Sequence, residues 1–189
     1  MQKTTFMCAI LLAFSYSSVL LTNGNFEQDL TVGWTAVSSW AYDSINRGAT
    51  YESDPDYEVL VLKDSIYCGG MTKLDQTVDI PTTDLTFSVK AMFHAYENMA
   101  DELLWAGAAV DINYLDAAGT VLGKTRINRM TDHCPWTSSS TLHLINAVNE
   151  NWNTYSFNIS AELANLPGVS PTQVKKISVV CFDSTNHSC

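Results

Sequence analysis

The chain has 189 residues, 46% of them apolar and 16% charged, with 20 Asp and Glu against 10 Lys and Arg. That length suits one hydrophobic core rather than two, and a net charge of −10 repels the phosphates of nucleic acid and of anionic lipid headgroups. No nucleic-acid partner is expected.

Lys3, the apolar run from Phe6 to Phe14 and the polar residues Ser15 to Ser18 have the layout of a secretory signal peptide over residues 1–18, cut near Ser17 or Ser18. The run is shorter than the roughly 20 residues that cross a bilayer. No stable membrane insertion is expected, and the protein is expected to be secreted, with residues 19–189 as a single domain. Apart from Cys8, four cysteines remain: Cys68, Cys134, Cys181 and Cys189. An even number fits disulfides in an oxidising compartment, with three connectivities open. Joining Cys68 to Cys134 and Cys181 to Cys189 is favoured, because the second bridge ties down a polar tail. No C-x-x-C pair suggests a metal site. Asn158-Ile159-Ser160 and Asn186-His187-Ser188 are glycosylation acceptor triplets.

Along the rest of the chain, apolar residues alternate with period two, the mark of half-buried strands. Glu58 to Lys63 and Lys73 to Ile80 read as strands, the second closed by Pro81. Leu85, Phe87, Val89, Ala91 and Phe93 share one face of the next. After a connection from His94 to Trp105, Ala108, Val110, Ile112 and Tyr114 face one way, and Ala109, Asp111, Asn113 and Leu115 the other. Asp116 to Thr120 is a hairpin turn into a partner strand, Val121 to Ile127. Arg129 to Asn151 reads as a long loop carrying Cys134, Pro135 and Trp136. Asn153, Tyr155, Phe157 and Ile159 alternate again, Ala161 to Leu166 allows a turn or two of helix, and Val174 to Phe182 is a final, central strand. Eight to ten strands with so little helix predict an all-β, two-sheet antiparallel β-sandwich.

Leu20 to Glu27, with the sequence L-L-T-N-G-N-F-E, followed by Leu30 and the Gly33-Trp34 pair, resembles the opening of galactose-binding-like jelly rolls, above all carbohydrate-binding modules of the family 4/9/22 type. Leu74-Asp75-Gln76-Thr77-Val78 is similar to their L-x-Q-x-V strand. The resemblance covers most of residues 19–189, except for the Cys134–Trp136 loop and the Cys-bounded tail. It implies a jelly-roll sandwich, carbohydrate as the partner, and a structural Ca²⁺ between Glu27 and Asp183, carboxylates of the kind calcium selects.

Sugar recognition needs flat aromatic faces with polar groups beside them. Trp34 and Trp152 read as structural. Trp40, Tyr42, Trp105 and Trp136 lie in or beside irregular segments and are the candidate stacking residues, while Asp111, Asn113 and, across the hairpin, Arg126 are the polar candidates. The chain has no G-x-S-x-G elbow, H-E-x-x-H pair or phosphate-cradling glycine loop, and its four His are scattered. A non-catalytic glycan-binding protein is the leading expectation. The alternative is an extracellular structural protein that self-associates into oligomers or filaments through the same sandwich.

Overall fold

A computed structural model describes residues 20–39, 41–49, 56–63, 69–96 and 104–186, together with the backbone of 6–10. The strands in chain order are β1 Phe6–Ile10, β2 Thr35–Val37, β3 Ser44–Gly48, β4 Glu58–Leu62, β5 Gly70–Asp79, β6 Thr86–Phe93, β7 Ala106–Leu115, β8 Val121–Met130, β9 Leu142–Asn146, β10 Asn153–Asn158 and β11 Lys176–Thr185. One four-residue helix, α1 at Ile159–Glu162, follows β10, with Asn158 as its cap.

The strands form two sheets, one ordered β10-β6-β1-β4-β3 and the other β2-β5-β11-β7-β8-β9. The chain passes repeatedly from one sheet to the other, and the protein is an all-β sandwich. Alternation builds the core as expected: Phe87, Val89, Ala91 and Phe93 are fully buried on β6 and face Ala108, Val110, Ile112 and Tyr114 of β7. β11 lies centrally between β5 and β7, which accounts for its unbroken apolar run.

Four strands fall where alternation gave none. β2 is exposed and β3 half-exposed, and both are short, so no apolar periodicity marks them. β9 lies inside the expected long loop and pairs with β8 in parallel, Lys124 with Leu142 through Asn128 with Asn146. The sandwich is therefore not wholly antiparallel. β1 lies inside the segment that reads as a signal peptide.

The opening motif folds as a clamp on the end of the core. Gln76 closes a two-way bond to one residue, accepting from the Thr22 N–H at 2.7 Å and donating to its carbonyl at 2.8 Å. Asn23 and Phe26 take positive φ, and the Asn23 side chain accepts from the Gln28 N–H and donates to the carbonyls of Gln28 and Asp29. The Trp34 indole N–H reaches the Asn23 carbonyl, and its ring packs on the buried Phe26. Gly33 has φ of 87°, and a Cβ there would lie 2.8 Å from the Thr22 Cβ. The Gly-Trp pair is thus a steric requirement of the clamp.

Replacing Gln76 with Ala leaves the Thr22 N–H and C=O without their partner. We expect a loss of about 1–3 kcal/mol in urea-unfolding free energy, with the native far-UV spectrum unchanged. No loss would mean that the clamp is peripheral.

Candidate functional site

Because β8 and β9 run parallel, the chain must return along β8 before β9 can start, as any parallel pair requires. The return segment, Thr131 to Thr141, passes over the outer face of the six-stranded sheet. It places Trp136 on Gly107, where a Cβ would lie 2.4 Å from the indole Cη2. Gly107 faces outward with Ala109, Asp111 and Asn113, because β7 alternates and its other face is core. Both faces of β7 are buried as a result.

Register then assembles a cluster around Trp136. Asp111 is opposite Arg126 on β8 and Val180 on β11, while Ala109 is opposite Phe182. Arg126 meets Asp111 through two N–H groups, at 2.6 and 2.8 Å, and the Lys124 ammonium reaches the same carboxylate at 3.0 Å. The Arg126 guanidinium lies 4.1 Å from the Trp136 ring centroid and 4.9 Å from that of Phe182. Trp136 also meets Trp105 and Phe182 edge-on, with centroids 5.9 and 5.6 Å apart. Trp105 and Trp136 are half-buried, so each keeps part of its ring at the surface. Asn113, opposite Lys124, is 8% exposed, and its side-chain oxygen has no hydrogen-bond partner.

Trp105, Trp136, Asp111, Asn113 and Arg126 therefore converge on one face. Tyr42 is 59% exposed on the connection leaving β2, at the opposite edge of the sheet from β8, and Trp40 lies outside the described residues. Lys124, Gly107 and Phe182 belong to the cluster but were not singled out by sequence. Phe182 is buried, as a central strand predicts, and its place opposite Ala109 puts it on the outer face.

The structure does not bring the proposed calcium ligands together. Glu27 accepts from the Tyr57 N–H, ahead of β4, and Asp183 accepts from the Lys63 N–H, beyond its other end. About 20 Å of extended chain separates those two amides, whereas oxygens sharing one calcium lie within about 5 Å. A single ion on Glu27 and Asp183 does not fit. The protein's own cations serve both places: Arg47 donates to the carbonyls of Phe26 and Glu27, and the Lys63 ammonium meets Asp43 at 3.0 Å beside Asp183. Burial pushes the Asp183 carboxyl well above the ordinary carboxylate range, against hydrogen bonds from the Lys63 and Ser184 amides. Burial also raises Asp43, but hydrogen bonds from Thr72, Lys63 and Ser39 outweigh it and leave that carboxyl lowered.

No disulfide joins the two described cysteines of the four: Cys134 is a buried thiol on the return segment and Cys181 faces the core. Burial raises the Cys134 thiol. Cys68 and Cys189, the partners proposed for them, lie outside the described residues. Asn158 uses its amide nitrogen on Asp84 and its oxygen on the Ala161 N–H. The Asn186 side-chain oxygen accepts from the Trp105 N–H, and the rest of its triplet lies outside the described residues.

A second polar group escaped sequence reading. Glu162 of α1, 6% exposed, accepts from Thr125, is paired with His143 and takes a hydrogen bond from Asn165, while Tyr114 meets Thr125 at 3.0 Å. Burial pushes the Tyr114 hydroxyl far above its ordinary range. Thr125 is fully buried, and His143 is the member of this network whose side chain stays about a third exposed.

Two outcomes follow. Arg126→Met leaves a buried carboxylate with Lys124 as its one remaining cation, and should cost about 3–5 kcal/mol; Arg126→Met with Asp111→Leu should cost clearly less, because no charge is stranded. Denaturant curves of both variants test this, and simple additivity would refute it. For Asp183, the raised value means that the folded protein holds the proton more tightly than the unfolded chain. Its contribution is complete below the ordinary value of 3.8 and is lost as pH rises through the folded-state value. Asp183→Asn should therefore gain stability over the parent as pH rises from about 4 towards neutrality. A difference independent of pH would contradict the assignment.

No protein-family model and no curated protein matches the chain. Among solved structures, the C-terminal domain of the AgI/II polypeptide BspA of Streptococcus agalactiae aligns over 99% of this chain and 76% of that one. Identity is 9% and the TM-score 0.16, which carries no argument about fold or function.

Proposed function

We propose that this protein is a secreted, non-catalytic glycan-binding sandwich, and that it binds sugar on the outer face of β11, β7 and β8. The observation carrying this reading is the joining of Trp105 and Trp136, edge to face, beside Arg126, Lys124 and Asn113. Partly exposed indoles offer a pyranose C–H face its apolar contact, and neighbouring N–H and C=O groups serve its hydroxyls. Asp111 is 3% exposed and saturated by two cations, so its part is to hold Arg126 and Lys124 in place. Lys124, 32% exposed at its side chain, is the polar group with capacity left for a ligand, and the Asn113 oxygen opposite it is buried without a partner. The resemblance of the opening motif to carbohydrate-binding modules supports the same class of ligand.

The test is retention on a glycan array and on insoluble polysaccharides. Trp105→Ala and Trp136→Ala should each weaken binding at least about tenfold, equivalent to roughly 1.4 kcal/mol, while Tyr42→Ala leaves it unchanged. Chelator should not alter retention, since Glu27 and Asp183 do not share an ion. Absence of binding to any glycan, together with high oligomers on size exclusion, would replace this reading with self-association.

A further inference from the structure

The five-stranded sheet depends on a strand that the sequence reads as a removable leader. β1 lies between β4 and β6, pairing Phe6 with Val61 and Phe93, and Cys8 with Val59 and Ala91. β4 and β6 do not pair with each other. Among the described residues, β3 lies beyond them on β4 and β10 on β6. Without β1 the sheet would part into two two-stranded ribbons, a size that is marginal in water. Their facing edges would stand about two strand spacings, near 10 Å, apart. Those edges carry unpaired backbone N–H and C=O groups beside the fully buried Val59, Val61, Val89, Ala91 and Phe93.

We propose that the gap between β4 and β6 is a strand-acceptor site and that its occupant is this chain's own Phe6–Ile10 segment, held by β-addition rather than by its covalent link to the body. The site offers a ladder on both sides and an apolar floor, so it selects a short, uncharged, proline-free strand. Phe6-Met7-Cys8-Ala9-Ile10 meets that description. Nine residues, 11–19, tether the segment to Leu20 and keep it at high local concentration. Cutting near Ser17 would then leave the strand seated as a non-covalent subunit. The inference is independent of glycan binding.

The experiment uses the full chain with a specific protease site introduced at Ser17 and cut after folding. The expected result is co-elution of the N-terminal fragment with the body on native size exclusion, an unchanged melting transition, and release of the fragment only on unfolding. Release with a fall in melting temperature that a synthetic peptide of residues 3–14 reverses would also support the site. Release with no fall, or a fall that the peptide does not reverse, would overturn it. A peptide carrying Pro in place of Cys8 is the control and should not restore the melt, because proline cannot complete a central ladder.

Discussion

The parallel pairing of β9 with β8 is the constraint on which the candidate surface depends. An antiparallel neighbour would need only a tight turn, and the outer face of β7 would then be open to water. A parallel neighbour forces the chain back along the sheet, and the sheet's outer face is where it passes. That passage sets Trp136 on Gly107, and the indole in turn shields the Asp111–Arg126 pair. A bidentate ion pair on an exposed strand contributes little, but under an aromatic lid each charge relies on the other. Topology, glycine, indole and ion pair are successive consequences of one strand direction.

The residues of the opening motif act elsewhere. Asn23, Phe26, Gly33, Trp34 and Gln76 hold one another at an end of the core, through bonds that need those side chains and those backbone angles. A motif of this kind constrains architecture, and it leaves the outer sheet face free to vary. The proposed binding surface accordingly rests on Trp105, Trp136 and their polar neighbours, none of which belongs to the opening motif.

The places implied for calcium show the same separation of frame from chemistry. Carbonyls at the Phe26–Glu27 turn meet the guanidinium of Arg47, which also stacks on Tyr57 at 3.3 Å. The interior carboxylates Asp43 and Asp183 have the Lys63 ammonium beside them. A covalently attached cation needs no ion capture from solution. It does need the surrounding donors to be placed by folding, which the hydrogen bonds of Ser39 and Thr72 to Asp43 accomplish.

Sequence alone determined the sandwich: the alternation of β6 and β7, the hairpin before β8 and the central apolar β11 are local patterns whose side chains choose a face by period. It also named Trp105, Trp136, Asp111, Asn113 and Arg126, because aromatics in irregular segments and polar residues opposite core positions stand out without any partner in view. It missed β9, whose half-buried residues carry no clean period, and it read Phe182 as buried, which it is, without showing which face it occupies. The resemblance joined Glu27 to Asp183, although they bond at opposite ends of β4. Only the tertiary structure decided which outward residues meet, since strand order, strand direction and register are set by contacts between segments far apart in the chain.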